Sequence, residues 1–344
     1  MQIIDYRSDT LTQPTDAMRQ AMANAKVGDD VFDEDPTVHR LQELAAEKTG
    51  KEAALFVPSG TMGNLVSLLT HCQRGDEIIL GRRSHIFINE VGGLSALGGI
   101  HPHPVANRDD GTLDMGEVKA AIRKDDVHYP PTRLICLENT HNYCGGYPLT
   151  VEYMQEVRSL ADQNDLKIHL DGARLFNAAV ALGVEPVALT RDADSIMLSL
   201  SKGLSAPAGS LICGPADWVA RARKWRKMVG GGMRQVGILA AAGLEALNHH
   251  PKRLIEDHNN ARELAQGLHK TPGIQINCDR VYTNILFFRL QHPDMGAEAL
   301  ERLLDDKGVR VLHMGDSWFR AVLHRHITNG MVKTTLDILR EILK

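Results

Sequence analysis

Ile168-His169-Leu170-Asp171-Gly172-Ala173-Arg174 and Ile196-Met197-Leu198-Ser199-Leu200-Ser201-Lys202-Gly203 decide how this sequence folds. Each is a short apolar run of buried-strand length that ends in a charged residue flanked by small ones. Similar runs occupy residues 54–57, 78–80, 134–137 and 210–213. Helical spacing fills the stretches between and beyond them. Val38, Leu41, Leu44 and Ala45 share one face of residues 36–50, with Gly50 as the stop, and residues 61–73, 151–164 and 235–248 read alike. Strands alternating with helices predict an α/β fold, a mainly parallel sheet with helices on both faces. Ligands in such sheets sit beyond the carboxyl ends of the strands, so the residues after each run are the functional candidates.

The 344 residues divide into a larger unit, expected over 1–250, and a smaller one over 251–344. After His250 the pattern changes to an α+β tail: helix 252–269, strand 282–290, helix 295–307, a strand pair at 309–312 and 319–323, and helix 331–343. With 39 Lys and Arg against 43 Asp and Glu, the net charge of −4 argues against a general nucleic-acid binder. Nothing approaches the ~20 apolar residues of a membrane span. Met1-Gln2-Ile3-Ile4-Asp5-Tyr6-Arg7 lacks the basic region and apolar run of a signal peptide, which makes the cytosol the expected compartment. The five cysteines form no CxxC pair and the sixteen histidines no HExxH, so no metal site is expected. His101 and His103 read as surface or strand-end residues.

Four strand ends carry chemistry. Pro58-Ser59-Gly60-Thr61 opens a helix whose exposed N–H groups suit an anion, or is an ordinary Ser/Thr cap. Asp171 suits a metal, a ribose or a protonated heterocyclic nitrogen, or caps a helix, and Arg174 offers a fork for a carboxylate or phosphate. Lys202 is either a solvated surface lysine or, in an apolar site near a cation, a nucleophile toward a carbonyl. His85, after residues 78–80, can stack on a flat ligand or move protons. Their order along the chain, with Lys202 31 residues after Asp171, is that of pyridoxal-phosphate enzymes of fold type I. There an aspartate keeps the pyridine nitrogen protonated so that the ring accepts electrons. A nucleotide-binding alternative lacks both GxGxxG and a P-loop lysine.

The sequence resembles the low-specificity L-threonine aldolases, fold type I enzymes with an aspartate-aminotransferase-like large domain and a smaller α+β C-terminal domain. The matching segments are Arg7-Ser8-Asp9-Thr10, Gly28-Asp29-Asp30-Val31, Pro58-Ser59-Gly60-Thr61, Glu138-Asn139-Thr140-His141-Asn142, His169-Leu170-Asp171-Gly172-Ala173-Arg174, Ser199-Leu200-Ser201-Lys202-Gly203 and the run from Arg226 to Gln235. The resemblance implies pyridoxal 5'-phosphate (PLP) held by Lys202 as a Schiff base, with Asp171 on the pyridine nitrogen and His85 stacked on the ring. Ser59, Gly60 and Thr61 would hold the phosphate, with Arg234 reaching in from a neighbouring subunit. Ser8, Arg174 and Arg320 would clamp the substrate carboxylate, and His128 would sit near the substrate side chain. It also implies a homotetramer built as a dimer of dimers with shared sites. The run from Lys224 to Gly232 reads either as a basic surface loop or as a segment near that interface. Phe32 replaces the usual tyrosine of the family, and Tyr143-Cys144-Gly145-Gly146-Tyr147-Pro148 looks long.

The implied activity is cleavage of L-threonine, L-allo-threonine and related β-hydroxy-α-amino acids to glycine and an aldehyde. His85 or His128 would be the base, directly or through water. β-Elimination on serine-like amino acids is the alternative, since the scaffold alone does not choose among PLP reactions.

Overall fold

The apolar runs become strands because both faces of each are covered: every residue of Glu77–Gly81, Ser195–Ser199 and Ser210–Gly214 is buried. The structure is a computed structural model and describes residues 3–344; Met1 and Gln2, which open the stretch read above for a signal peptide, lie outside the described residues. Its strands in chain order are β1 (Ile4–Asp5), β2 (Ala53–Val57), β3 (Glu77–Gly81), β4 (His101–Val105), β5 (Thr132–Glu138), β6 (Lys167–Gly172), β7 (Ser195–Ser199), β8 (Ser210–Gly214), β9 (Ile274–Gln275), β10 (Ile285–Leu290), β11 (Val309–Arg310), β12 (Leu312–His313) and β13 (Trp318–Val322).

The large sheet has the order β2-β8-β7-β6-β5-β3-β4. Only β8 runs against its neighbours. The other six strands therefore end on one edge, which is where the candidate residues gather. Leu55, Val57, Met197 and Ile212 pack under the helices Gly60–His71 and Ala216–Met228 on one face. The alternate residues Ala54, Phe56, Leu198 and Leu211 pack with the helices Pro36–Thr49 and Gly237–His249 on the other. The α/β architecture with a mainly parallel sheet is thus as expected.

β4 is absent from the sequence reading because His101-Pro102-His103-Pro104-Val105 contains two prolines; it sits at the sheet edge, where a missing N–H does no harm. The two histidines reach from it to the buried Glu77 carboxylate, which Arg123 also holds.

A second, antiparallel sheet has the order β12-β13-β10-β9. The expected pairing of 309–312 with 319–323 is corrected: Val309–Arg310 pairs in parallel with β1, and Leu312–His313 is a separate strand on β13. This also revises the unit boundary. Ile4 and Tyr6 belong to the apolar cluster of the C-terminal sheet, with Leu286, Phe288, Phe319 and Leu336, so the first described residues pack in the second unit and not with 1–250. Residues 224–228 are the end of the helix Ala216–Met228 and not a surface loop; Arg226 is buried, donating to the Asp30 carboxylate at 2.6 Å and to the Phe56 carbonyl at 2.7 Å.

Candidate active site

At the carboxyl edge, Asp171 closes β6 and Lys202 follows β7. The turn carrying Lys202 is pinned. Its carbonyl accepts from Thr12 Oγ1 at 2.8 Å and from the Ser205 amide at 2.9 Å, and the Leu200 amide donates to Gly209 O at 3.1 Å. Gly209 has φ +100°, and a Cβ there would lie 2.5 Å from the Phe56 ring, so only glycine returns the chain to β8. Burial and the Arg174 guanidinium hold the Lys202 amine below the usual lysine pKa, against the pull of Asp171, Asp9 and Glu138.

His85 starts the short helix His85–Ile88 after β3. Its N–H donates to Glu138 Oε2 at 2.6 Å, and its Nδ1 lies 2.8 Å from Glu90 Oε1. That bond raises the pKa of His85, against the opposing effect of burial. Burial likewise raises that of Glu90. Asn64 Nδ2 lies 2.7 Å from Glu90 Oε1 and 2.9 Å from Asp171 Oδ2. The donor atoms of His85, Glu90 and Asp171 fall within 4.8 Å of one another.

Across from Lys202, Arg174 is buried in a two-pronged bond to Asp9, at 2.8 and 2.7 Å. Arg320, on β13, brings its Nη1 to Asn142 Oδ1 at 3.1 Å, and Arg174 Nη1 lies 3.4 Å from the same oxygen. The small unit thus delivers a second guanidinium beside the first. Glu138 steadies the arrangement, since its Oε1 accepts the Asn142 amide at 2.8 Å. Ser8 caps the turn Asp9–Leu11 by accepting the Thr10 amide at 3.1 Å. Ser59 caps the helix Gly60–His71 by accepting the Met62 amide at 3.2 Å. A cavity of about 610 Å³, bounded by Tyr143, Phe287 and Trp318, lies beside this cluster and touches neither Lys202 nor Asp171. The site is therefore defined by the strand ends.

Residues 5–292 match the family described as beta-eliminating lyase. The chain belongs to that family. It is 50% identical over 343 residues to a probable low-specificity L-threonine aldolase 2 of Arabidopsis thaliana, covering 98% of this chain and 97% of the relative. It is 48% identical over 295 residues to the low specificity L-threonine aldolase of Escherichia coli K12, covering 86% and 87%. The threonine aldolase of Leishmania major has the same fold, with a TM-score of 0.84 at 18% identity over 99% of this chain and all of that one.

The cofactor of this lyase fold is PLP, and two orphaned polar atoms of the chain fit it and an amino-acid substrate. Ser210 Oγ is buried without a hydrogen-bond partner and lies 3.7 Å from where a Cβ on Gly60 would stand, beside the first turn expected to hold the phosphate. Arg320 Nε is likewise buried and unpartnered, beside the Arg174 fork, as a carboxylate site requires.

Not every residue assigned by resemblance gathers in this cluster. His128 is 81% exposed and bonded to Asp126 at 2.7 Å in the stretch leading into the amino end of β5. The seven residues of β5 separate it from its own site by roughly 20 Å, so within one chain it does not reach the substrate. Arg234 is 55% exposed and lies over Phe32, bonded to Asp29 at 2.9 Å. Phe32 is itself 70% exposed. Tyr143 lies beside the His85 helix, its hydroxyl 3.1 Å from Asn89 Nδ2 at the end of that helix.

Asn64, Glu90, Glu138, Asp9 and Asn142 received no role from the sequence. Asp9, Glu138 and Asn142 stand inside the quoted segments. Asn64 betrays itself only as a polar residue among the apolar positions of its helix, and nothing in the sequence marks Glu90.

Proposed function

We propose that this lyase cleaves the Cα–Cβ bond of L-threonine, L-allo-threonine and related β-hydroxy-α-amino acids, yielding glycine and an aldehyde, acetaldehyde in the case of threonine. The observation that carries the reading is the paired Arg174 and Arg320, with one free buried N–H, facing the strand ends that bear Lys202 and Asp171. The names of the relatives support it.

In this reading Lys202 holds PLP covalently, Asp171 pairs with its pyridine nitrogen, His85 covers its ring, and Ser59, Gly60 and Thr61 with Ser210 receive its phosphate. Bound PLP supplies an electron sink for the bond that breaks. Arg174 and Arg320, with Ser8 at the rim, fix the α-carboxylate and so orient the Cα–Cβ bond, an effect worth up to ~7–11 kcal/mol of barrier in favourable cases. His85 donates its Nδ1 proton to Glu90, which leaves Nε2 as the acceptor for the β-hydroxyl proton.

His128 and Arg234 act, in the same reading, from a second copy. Their exposure supports this, as do the separation of His128 from its own site and the exposed apolar Val127 and Met228. Assembly as a dimer of dimers completes each site. A monomer that is fully active in sedimentation would remove that part of the proposal.

The test is product analysis on the PLP-loaded protein. Glycine and aldehyde from L-allo-threonine or L-threonine, lost in Lys202→Ala together with the visible absorbance PLP gains on condensing with lysine, are the expected results. Pyruvate and ammonia from serine, without glycine from threonine, would move the assignment to β-elimination.

A further inference from the structure

Behind Asp171, a line of polar side chains runs from the carboxyl edge of the sheet to its amino edge, under the helix Gly60–His71. Asn64 Nδ2 meets Asp171 Oδ2 at 2.9 Å, and Asn64 Oδ1 meets His169 Nε2 at 3.1 Å. His169 Nδ1 meets Ser195 Oγ at 2.8 Å, and Ser195 Oγ meets His71 Nε2 at 2.7 Å. Asn64, His169, Asp171 and Ser195 are all buried. The His71 ring ends the line against Trp218, 5.1 Å between centroids.

The direction of every bond follows from one end. The Asn64 nitrogen faces two carboxylates, Asp171 and Glu90, both acceptors, and donates one proton to each. Its carbonyl oxygen is then an acceptor, so His169 donates from Nε2. A neutral imidazole with its proton on Nε2 accepts at Nδ1, so Ser195 donates to it. The Ser195 oxygen in turn accepts from His71 Nε2. All four donors point toward Asp171, and hydrogen bonds aligned in this way polarise one another.

We propose that Asn64 and His169 are positioning residues that hold Asp171 for the pyridine nitrogen, and that Ser195 and His71 lock them in this single direction of donation. The proposal rests on the PLP reading above. Burial keeps both imidazoles uncharged, with pKa values depressed to about 3 for His169 and about 4 for His71. A charged His169 would carry a proton on Nδ1 and turn Ser195 around. Asn64 also bridges Asp171 and Glu90 without adding charge, donating one proton to each.

The experiment is nitrogen-15 NMR of histidine-labelled, PLP-loaded protein together with PLP titrations of variants. His169 and His71 are expected as Nε2–H tautomers that stay neutral down to about pH 5. Ser195→Ala should perturb the His169 tautomer and weaken PLP binding about twofold to tenfold. His169→Gln keeps a donor near the Nε2 position and should bind PLP within about threefold of the wild type. His169→Leu leaves Asn64 Oδ1 unpaired and should lose about tenfold or more. An Nδ1–H or charged His169 in the wild type overturns the proposal, and so do equal PLP affinities for His169→Gln and His169→Leu. An expected tautomer pattern with no aldehyde from threonine would refute the proposed reaction alone. Aldehyde formation with the wrong tautomer would refute this inference alone.

Discussion

Asp9→Asn should cost this protein stability in a way that depends on pH. Asp9 is fully buried against Arg174, and although burial raises its pKa, the guanidinium more than offsets that and brings it from 3.8 to about 2. At ~1.36 kcal/mol per decade, the difference corresponds to about 2 kcal/mol. Because the folded pKa lies below the unfolded one, this contribution is fully present above about pH 4 and disappears as the pH falls through about 2. The substitution removes the anion and also leaves Arg174 buried with only a neutral partner, so the loss near neutrality should be larger, about 3–5 kcal/mol. Urea unfolding of the wild type and Asp9→Asn at several pH values between about 3 and 7 reads both quantities. The expected result is a large gap near pH 7 that narrows toward acid. Stability curves that run parallel over the whole range would refute the linkage, and a gap under about 1 kcal/mol near neutrality would show that the Asp9–Arg174 pair is not the anchor described.

His85→Asn should lower kcat about 10²–10⁴-fold in steady-state assays of aldehyde release, the usual contribution of a general base. Glu90→Gln should shift the acid limb of the kcat profile to lower pH, because the Glu90 bond raises the His85 pKa and activity requires His85 neutral; an unmoved limb would exclude His85 as the titrating base. Arg320→Ala should raise KM for threonine at least about tenfold, since a charged fork to the carboxylate is lost, and an unchanged KM would place the carboxylate elsewhere. His128→Asn should change stability by less than ~0.5 kcal/mol, as befits an exposed residue, yet lower kcat. Mixed oligomers of His128→Asn and Lys202→Ala chains should regain activity if the two residues serve one site from different copies.

The large sheet was readable because its strands are buried on both faces and appear as unbroken apolar runs, with Asp171 and Lys202 breaking the pattern at their carboxyl ends. β4 escaped because an edge strand tolerates the prolines that argue against a strand elsewhere. β1 escaped because two residues carry no periodicity, and its partner, β11, lies at Val309–Arg310 near the other end of the chain. The candidate site was legible only in part. Lys202, Asp171, His85 and Arg174 stand at the strand ends that the apolar runs marked, and Arg320, which only the resemblance suggested, comes beside Arg174 from β13. His128 was assigned by resemblance alone, and its loop enters β5 from the opposite edge. Glu90 left no mark in the sequence and Asn64 only a polar break in its helix, because their importance is a matter of which side chains meet across Gly60–His71 and β6, a relation that no local pattern encodes.

The pairing of β1 with β11 also has a consequence for how the protein comes into being. Tyr6 bonds Thr335, 329 positions further along the chain, and three residues after Tyr6 stands Asp9, the anchor of Arg174. During synthesis the large sheet can form while the N-terminal segment still lacks its berth, which exists only once the last strands have left the ribosome. The Asp9–Arg174 pair, on which the proposed substrate clamp depends, is therefore set only after the residues from Val309 to Thr335 have been made.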